Sequence, residues 1–166
     1  DPNPVGRTVA EFVAGPGGGR GPQGLPLFKP PYARITAIDL NTGETLWWIP
    51  NGDTPDRIAN HPALEGVDIG NTGSPSHPTT ISTKSLLIYG EGRGGRAVLH
   101  AHNKRTGERI GTVEIPAPTN TAPMTFMHEG VQHIVVPVGG SGAGRGGRGG
   151  RRQQHPGSFV ALRLPE

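Results

Sequence analysis

Cysteine is absent from the 166 residues, and aromatic residues make up only 5% of them. Without cysteine the chain has neither a disulfide framework nor a thiolate nucleophile, and its redox compartment stays open. No apolar run approaches the roughly 20 residues that a helix needs to cross a bilayer. No Gly-Lys-Ser or Gly-Lys-Thr sequence occurs, which excludes a P-loop. No signal peptide is visible, and Asp1-Pro-Asn-Pro4 is not a typical start, so we expect a piece whose beginning lies elsewhere.

Glycine and proline, by contrast, are abundant. The 28 glycines and 18 prolines form more than a quarter of the chain, a level at which disorder becomes a live interpretation. They crowd into residues 1–31 and 139–157, with apolar runs and turn residues between these flanks. The formal charge of +3 is local, because the arginines after residue 144 alone exceed it. We therefore expect an ordered β centre with loop-like flanks.

Two similar stretches organise this centre. Residues 35–50 and 99–116 each contain two β-rich runs around a Thr-Gly turn, and the Asn and Gly of Asn41-Thr42-Gly43 tolerate the positive φ of a tight turn. Matching positions such as Ala37 and Ala101 lie 64 apart, about one four-stranded blade plus a long loop. A hairpin that recurs at this period is typical of a β-propeller.

The remaining runs predict further strands. Residues 79–82 and 86–89 form inner strands, residues 90–95 a loop, and residues 97–102 the next strand. A third set follows at 122–127, 132–138 and 158–164, with a turn at 128–130. In the long connection 51–78 we expect one short helical turn, with Asp53 or Thr54 as its N-cap and Pro55 at its first position. The pattern amounts to half a blade, one whole blade and three strands of a third, which cannot close a ring.

Two features allow structural as well as functional interpretations. Trp47 or Trp48 is expected to pack between adjacent blades rather than to stack on a cofactor. The loop 139–152 contains G-x-G-x-x-G at Gly142, Gly144 and Gly147, but no helix start follows, which disfavours a dinucleotide site. Its Arg-Gly-Gly repeats resemble RNA-binding tracts, but Phe159 is the only aromatic residue nearby, so we expect a solvated loop and no nucleic-acid partner.

Metal binding has weak support in the sequence. His100 and His102 lie two apart on a predicted strand, so their side chains share one face, but no third ligand is evident, and a polar strand face is the plainer interpretation. Four acidic residues could give oxygen ligands to Ca²⁺ but lack binding-loop spacing, and loop solvation or capping explains them as well: Asp53, Asp56, Glu65 and Asp68.

A series of short motifs follows one another from Lys29 to Pro165. They are Lys29-Pro-Pro-Tyr32, Ile35-Thr-Ala-Ile-Asp-Leu-Asn-Thr-Gly-Glu-Thr-Leu-Trp47, Gly52-Asp-Thr-Pro55, Asn71-Thr-Gly-Ser-Pro75, Leu86-Leu-Ile-Tyr-Gly90, Ala122-Pro-Met-Thr-Phe126, Gly130-Val-Gln-His-Ile-Val-Val136, Gly139-Gly140 and Val160-Ala-Leu-Arg-Leu-Pro165. In this order the series resembles the C-terminal part of the quinoprotein dehydrogenases that use pyrroloquinoline quinone (PQQ), and especially their membrane-type glucose dehydrogenase branch.

The resemblance implies an all-β fold, the C-terminal blades of an eight-bladed quinoprotein-type β-propeller, incomplete as a single chain. Residues 1–31 would be a Gly/Pro-rich loop or extension, and residues 32–165 the final two to three blades, with a Gly/Arg-rich loop at 139–157. The remaining blades, from another segment or chain of the same protein, would be the partner. Any membrane association would run through that missing part.

The resemblance also implies PQQ and Ca²⁺ as cofactors, a sugar or alcohol as substrate, and a periplasmic or extracellular location. The catalytic residues, the metal ligands and most PQQ contacts are implied for blades outside this chain, so we assign no catalytic or metal-binding residue within it. The residues implied to face the cofactor are Asn71, Thr72 and Gly73, and the turn Gly139-Gly140-Ser141 is a second candidate.

The sequence leaves three functional hypotheses. The first is a portion of a PQQ-dependent dehydrogenase, inactive as a single chain. The second is a cofactor-free propeller that serves as a binding or assembly scaffold, favoured by the degraded second hairpin, where Gly111 stands in the place of Trp47. The third is a nucleic-acid-binding protein, which rests on the Arg-Gly loop alone and would bind with a steep dependence on salt. We favour the first.

Overall fold

The computed structural model describes residues 21–140 and 156–163. This part of the chain contains nine strands: β1 (Arg34–Ile38), β2 (Thr45–Pro50), β3 (His77–Ser82), β4 (Leu86–Arg93), β5 (Val98–Asn103), β6 (Arg109–Glu114), β7 (Met124–His128), β8 (Val131–Val138) and β9 (Ser158–Arg163). One short α-helix, α1 (Asp56–Ala59), and 3₁₀ turns at Pro22–Gly24 and Pro62–Leu64 accompany them. No helix in residues 21–140 or 156–163 is long and apolar enough to cross a membrane.

The strands form three antiparallel sheets in chain order. The first contains β1 and β2, the second β3 to β6, and the third β7 to β9. The prediction of half a blade, one whole blade and three strands of a third is confirmed. Compact units are formed by Asp1–His77 and by Pro78–Glu166. The predicted division after residue 31 stays a prediction, because residues 1–20 lie outside the described part.

The two repeated hairpins close through the same turn. In the first, the Asp39 side chain accepts a hydrogen bond from Asn41 N at 2.8 Å, and Gly43 N donates to Asp39 O at 2.7 Å. In the second, the Asn103 side chain accepts from Arg105 N at 2.9 Å, and the N–H of Gly107, four residues on, donates to Asn103 O at 2.8 Å. The turn is therefore the same with Asn103 as with Asp39. The sequence offered Asn41 and Gly43 as residues that tolerate a positive φ in this turn. Gly43 adopts one, at 77°, whereas Asn41 does not.

The hairpin between β7 and β8 turns through Glu129 and Gly130, whose φ angles are 49° and 78°. Two consecutive left-handed residues match the right-handed twist of the flanking strands, as in a type I′ turn. The predicted turn at 128–130 is confirmed. Of the predicted Gly/Arg-rich loop at 139–157, residues 141–155 lie outside the described residues.

Two local predictions are wrong. The helix α1 forms, but Pro55 is its N-cap and no side chain caps it, because the Thr54 hydroxyl instead contacts the backbone of Gly70 and Thr72. The predicted loop 90–95 is also wrong over its first four residues, because β4 continues through Arg93. Gly90 is needed there for close packing and not for a turn, since a Cβ at this position would overlap the Thr119 side chain.

The core of the second unit lies between the four-stranded and the three-stranded sheet. Its buried members come from β5, from the segment after β6 and from β8: Leu99, Ile115, Ala117, Val136 and Val138. Side chains of β8 and β9 extend it. In the first unit, Tyr32 and Ile58 form a smaller cluster with Leu64 and Ile69, which fixes α1 beside the long connection. Within the second unit, alternation along β5, β8 and β9 thus places apolar side chains on the face that meets the neighbouring sheet.

We predict that Leu99→Ala destabilises the packing of these two sheets by about 2–4 kcal/mol, because it removes a buried side chain from a cluster that cannot fully collapse. Leu40→Ala is the matched control, since Leu40 is 94% exposed and the change in covalent structure is identical. Amide hydrogen exchange of β5 and β8 measures the difference. Equal protection in the two variants would contradict the assigned core.

Candidate functional site

The segment 71–76 leads into β3 without regular secondary structure, yet much of it is buried. Tyr32 N donates to Thr72 O at 2.7 Å, and Thr72 N donates to the Thr54 hydroxyl at 2.9 Å. Thr72 is only 1% exposed, and its hydroxyl donates a hydrogen bond to Gly73 O at 3.2 Å. Every polar group of Thr72 is thus engaged within the first unit. We call residues 71–73 the Asn71 corner.

Asn51 holds this segment against the end of β2. Its backbone N–H donates to Ala33 O at 2.9 Å and its carbonyl accepts from Ser74 N at 2.7 Å. Its side-chain amide, fully buried, donates to Ser74 O, Ser76 O and the Ser76 hydroxyl at 3.0–3.2 Å. The amide cannot be flipped, because Oδ1 would then face two carbonyl oxygens. Asn51 Oδ1 is buried without a hydrogen-bond partner among the described residues.

Glycine is required at residue 73. Its φ is 66°, and a Cβ there would lie 2.6 Å from Ala33 O and 3.1 Å from Asn51 N. The close approach of three backbone segments therefore excludes any side chain at this position.

Asn71 is the member of the corner that remains exposed. Its Nδ2 donates to Gly52 O at 2.9 Å and its Oδ1 accepts from Gly73 N at 3.0 Å, so both ends of the amide are held by backbone. One amide hydrogen and one lone pair remain. Burial raises the pKa of the nearby Tyr32 phenol, and the Arg57 charge opposes that rise; at neutral pH the phenol is uncharged.

The three predicted residues differ in what they offer to a ligand. A rigid, exposed amide suits a polar, carboxylated ligand such as PQQ, because it offers a donor and an acceptor at a fixed place. Thr72 and Gly73 are buried, so their fit is indirect: they shape the turn that presents Asn71. The three predicted residues thus differ in exposure, because only Asn71 reaches the surface. Sequence reasoning missed Asn51, since no motif distinguishes it from the other turn asparagines.

The two histidines share one face of β5, as predicted, and this face is polar, as expected, but buried. His100 Nε2 lies 3.1 Å from Glu91 Oε1, and His102 Nδ1 lies 2.8 Å from Gly107 O. The Tyr89 ring packs against both, with centroids 5.0 and 5.4 Å away. Arg96 N donates to the buried Glu91 carboxylate at 2.8 Å. Sequence reasoning missed Glu91 because it placed this residue in a loop.

Within residues 21–140 and 156–163, no group of three or more His, Cys, Asp or Glu side chains is placed to hold a metal ion. The acidic candidates are not brought together as a site. Asp68 instead accepts from Gly70 N at 2.9 Å in a local turn, and Asp56 and Glu65 are exposed. The prediction that this chain contributes no metal-binding residue stays a prediction.

The second candidate turn follows β8. Gly139 and Gly140 both have left-handed φ angles, 67° and 78°. Gly139 N donates to Pro118 O at 3.0 Å, which ties the turn to the segment before β7. Ser141 lies outside the described residues.

Comparison with known proteins gives a family match over residues 7–134, to the PQQ-type glucose/ethanol/alcohol dehydrogenase β-propeller domain. The quinoprotein glucose dehydrogenase of Escherichia coli K12 is 31% identical over 140 residues, 84% of this chain and 16% of the relative. Quinoprotein glucose dehydrogenase A of Acinetobacter calcoaceticus is 29% identical with the same coverage. The quinate/shikimate dehydrogenase (quinone) of Acinetobacter baylyi is 28% identical over 123 residues, 71% of this chain and 14% of the relative.

The chain thus spans about 16% of the length of the first two relatives. Among solved structures, the quinohemoprotein alcohol dehydrogenase of Comamonas testosteroni matches with a TM-score of 0.45 and 21% identity, over 63% of this chain and 12% of that one.

We predict that Gly73→Ala destabilises the Asn71 corner more than Gly43→Ala destabilises the first hairpin. Both residues have positive φ, which costs a non-glycine residue about 1 kcal/mol. Only at Gly73 would the new Cβ meet backbone atoms, whereas no atom lies within 4 Å at Gly43, so we expect a further loss of about 1–3 kcal/mol of stability at Gly73. Thermal unfolding of the two variants tests this, and equal losses would show that the corner is looser than described.

Proposed function

Since the chain belongs to the family of β-propeller domains of PQQ-dependent glucose, ethanol and alcohol dehydrogenases, we propose that it supplies the C-terminal blades of a dehydrogenase that oxidises a sugar or an alcohol. The observation that carries the proposal is the family match over residues 7–134 together with a 2-4-3 sheet pattern, which is that of consecutive propeller blades. The other blades would complete the ring, and most catalytic residues would lie in them.

Bound PQQ would supply the two-electron acceptor for oxidation of a carbinol carbon, with Ca²⁺ as a Lewis acid held by residues outside this chain. The residues of this chain would position the cofactor and help to enclose it. Asn71 would contact the cofactor through its remaining amide hydrogen and lone pair, while Thr72 and Gly73 fix the backbone behind it. Asn51 would hold the same segment from the β2 side.

The rigidity of the Asn71 corner supports this role. A ligand group that meets a side chain already fixed at both ends loses little conformational entropy on binding. The two backbone partners of Asn71 fix the direction in which its free amide hydrogen points. The names of the relatives include glucose and quinate or shikimate. We propose the wider class of sugars and alcohols, oxidised in the periplasm or outside the cell.

The test is reconstitution of the whole propeller that contains this chain. With PQQ and Ca²⁺ added, we expect dye-linked oxidation of sugars or alcohols and a near-ultraviolet absorption band from the bound quinone. A propeller that assembles but retains no quinone and oxidises no substrate would instead support the cofactor-free scaffold.

We predict that Asn71→Ala weakens PQQ binding by the assembled protein about tenfold, the effect of one lost polar contact to a charged ligand. Equilibrium titration monitored by the quinone absorption measures the Kd. The control is Asn41→Ala, which changes an exposed asparagine in the first hairpin turn. If both variants bind PQQ as tightly as the unmodified protein, the assignment of Asn71 is wrong.

A further inference from the structure

Glu91, near the end of β4, is a fully buried residue for which the proposed function names no role. Its Oε1 lies 3.1 Å from His100 Nε2, and its Oε2 accepts a hydrogen bond from Arg96 N at 2.8 Å. A buried carboxylate is costly unless it is paired. Here the pairing ties Glu91 both to the neighbouring strand and to the loop that joins β4 to β5.

This loop is short and closed by its own backbone. Gly95 N donates to Gly92 O at 3.1 Å, and Gly92 and Gly94 have left-handed φ angles of 81° and 88°. The bond from Arg96 N to the Glu91 carboxylate then fixes the backbone two residues before β5 begins. Arg96 therefore has a fixed backbone position, although its side chain is 51% exposed.

The Arg96 guanidinium approaches Glu91 through its inner nitrogen. Nε lies 3.9 Å from Glu91 Oε1, which is longer than a hydrogen bond, so the contact orients the guanidinium by charge. A planar guanidinium oriented through Nε is able to donate from its two terminal nitrogens to a second carboxylate. A side chain that is already oriented loses less conformational entropy when a ligand binds. Arg96 is thus suited to an anionic ligand group.

Contacts within the second unit place this loop at one end of its sheets. Gly90, the residue before Glu91, packs against Thr119, and Thr119 pairs with Val138 at the end of β8. The turn Gly139-Gly140 follows directly. The β4–β5 loop and this turn therefore lie at the same end, and the turn is the second candidate that the family resemblance implies to face the cofactor.

The opposite end of the second sheet provides a comparison. There the β3–β4 and β5–β6 turns meet, because Lys104 N donates to Ser85 O at 2.9 Å. Arg105 is exposed in the β5–β6 turn, where its backbone N–H donates to the Asn103 side chain. The two exposed arginines thus differ in their support, since a buried carboxylate holds Arg96.

We propose that Arg96 binds a carboxylate of the ligand held at this end of the sheets, and that Glu91 positions Arg96 for this contact. The inference rests on the proposed function and extends it to a charged residue that neither the hairpin repeat nor the family resemblance assigned. Two ligands of such an enzyme can carry the carboxylate, namely PQQ, which is a tricarboxylic quinone, and an acidic substrate. A guanidinium selects an anion, whereas an amide such as that of Asn71 does not.

The experiment measures the Kd of PQQ by equilibrium titration of the assembled propeller, unmodified and with Arg96→Gln, together with the KM for neutral and acidic sugars or alcohols. We expect a rise of about ten- to thirtyfold, the effect of one lost two-point contact between charged groups. A higher Kd assigns the carboxylate to PQQ. An unchanged Kd with a higher KM for acidic substrates alone assigns it to the substrate.

The matched control is Arg105→Gln, which makes the same chemical change at the opposite end of the sheet and should leave both constants unchanged. Arg96→Lys keeps the charge but loses the planar pair of terminal nitrogens, so we expect an intermediate value.

Glu91→Gln tests the positioning role. We expect it to raise the same constant about threefold, less than the loss of the guanidinium itself. In the Arg96→Gln background the change should have no further effect, because no guanidinium is left to position. A merely structural role of Glu91 predicts the same loss of affinity in both backgrounds.

A probe without redox chemistry separates this proposal from the proposed function. Trimesate, a benzene tricarboxylate, presents carboxylates to the same arginine. If the unmodified assembly binds trimesate through Arg96 but binds no PQQ and oxidises no substrate, the proposed function fails and the carboxylate site stands. If it binds PQQ, and Arg96→Gln changes neither Kd nor any KM, the proposed function stands and the role of Arg96 is overturned. If neither compound binds, both proposals fail.

Discussion

Backbone that is buried outside helices and strands must find a partner for each N–H and C=O, and this constraint shapes the two irregular segments 71–76 and 117–120. Residues 71–76 meet it through Asn51, whose main chain bonds Ala33 and Ser74 and whose side chain bonds Ser74 and Ser76. Residues 117–120 meet it through the bonds to the end of β8. Because these backbone groups are paired within the chain, the exposed side chains of Asn71 and Asn120 are held in fixed directions.

The sequence predicted most of what is local. Hairpins close through residues within five positions of one another, so Asp39, Gly43 and the Glu129-Gly130 pair could be identified from their neighbours alone. Strand alternation likewise predicted the three sheets. The Thr54 cap failed because its hydroxyl is used by Gly70 and Thr72, which are 16 and 18 positions away. Local propensity gives no information about such a competitor.

The same limit explains the buried network around Glu91. A run of Gly-Glu-Gly-Arg-Gly-Gly is typical of a loop, and a carboxylate is rarely fully buried unless it is paired. Here β5 supplies His100 as a partner, so Glu91 stays in the strand and the two histidines become core residues rather than ligands. Gly90 is selected by the packing of Thr119, a contact that no neighbouring residue indicates. Which asparagine is exposed, and which is buried as Asn51 is, depends equally on tertiary contacts.

The hairpin turn made once with Asp39 and once with Asn103 has a consequence for how such repeats diverge. The turn uses a single side-chain oxygen, which a carboxylate and an amide provide equally well. The charge at the tip of the hairpin can therefore differ between the two repeats, negative at Asp39 and neutral at Asn103, while the backbone bonds stay the same. Repeats that share this turn can in this way present different surface potentials, and hence suit different neighbours, with one and the same fold.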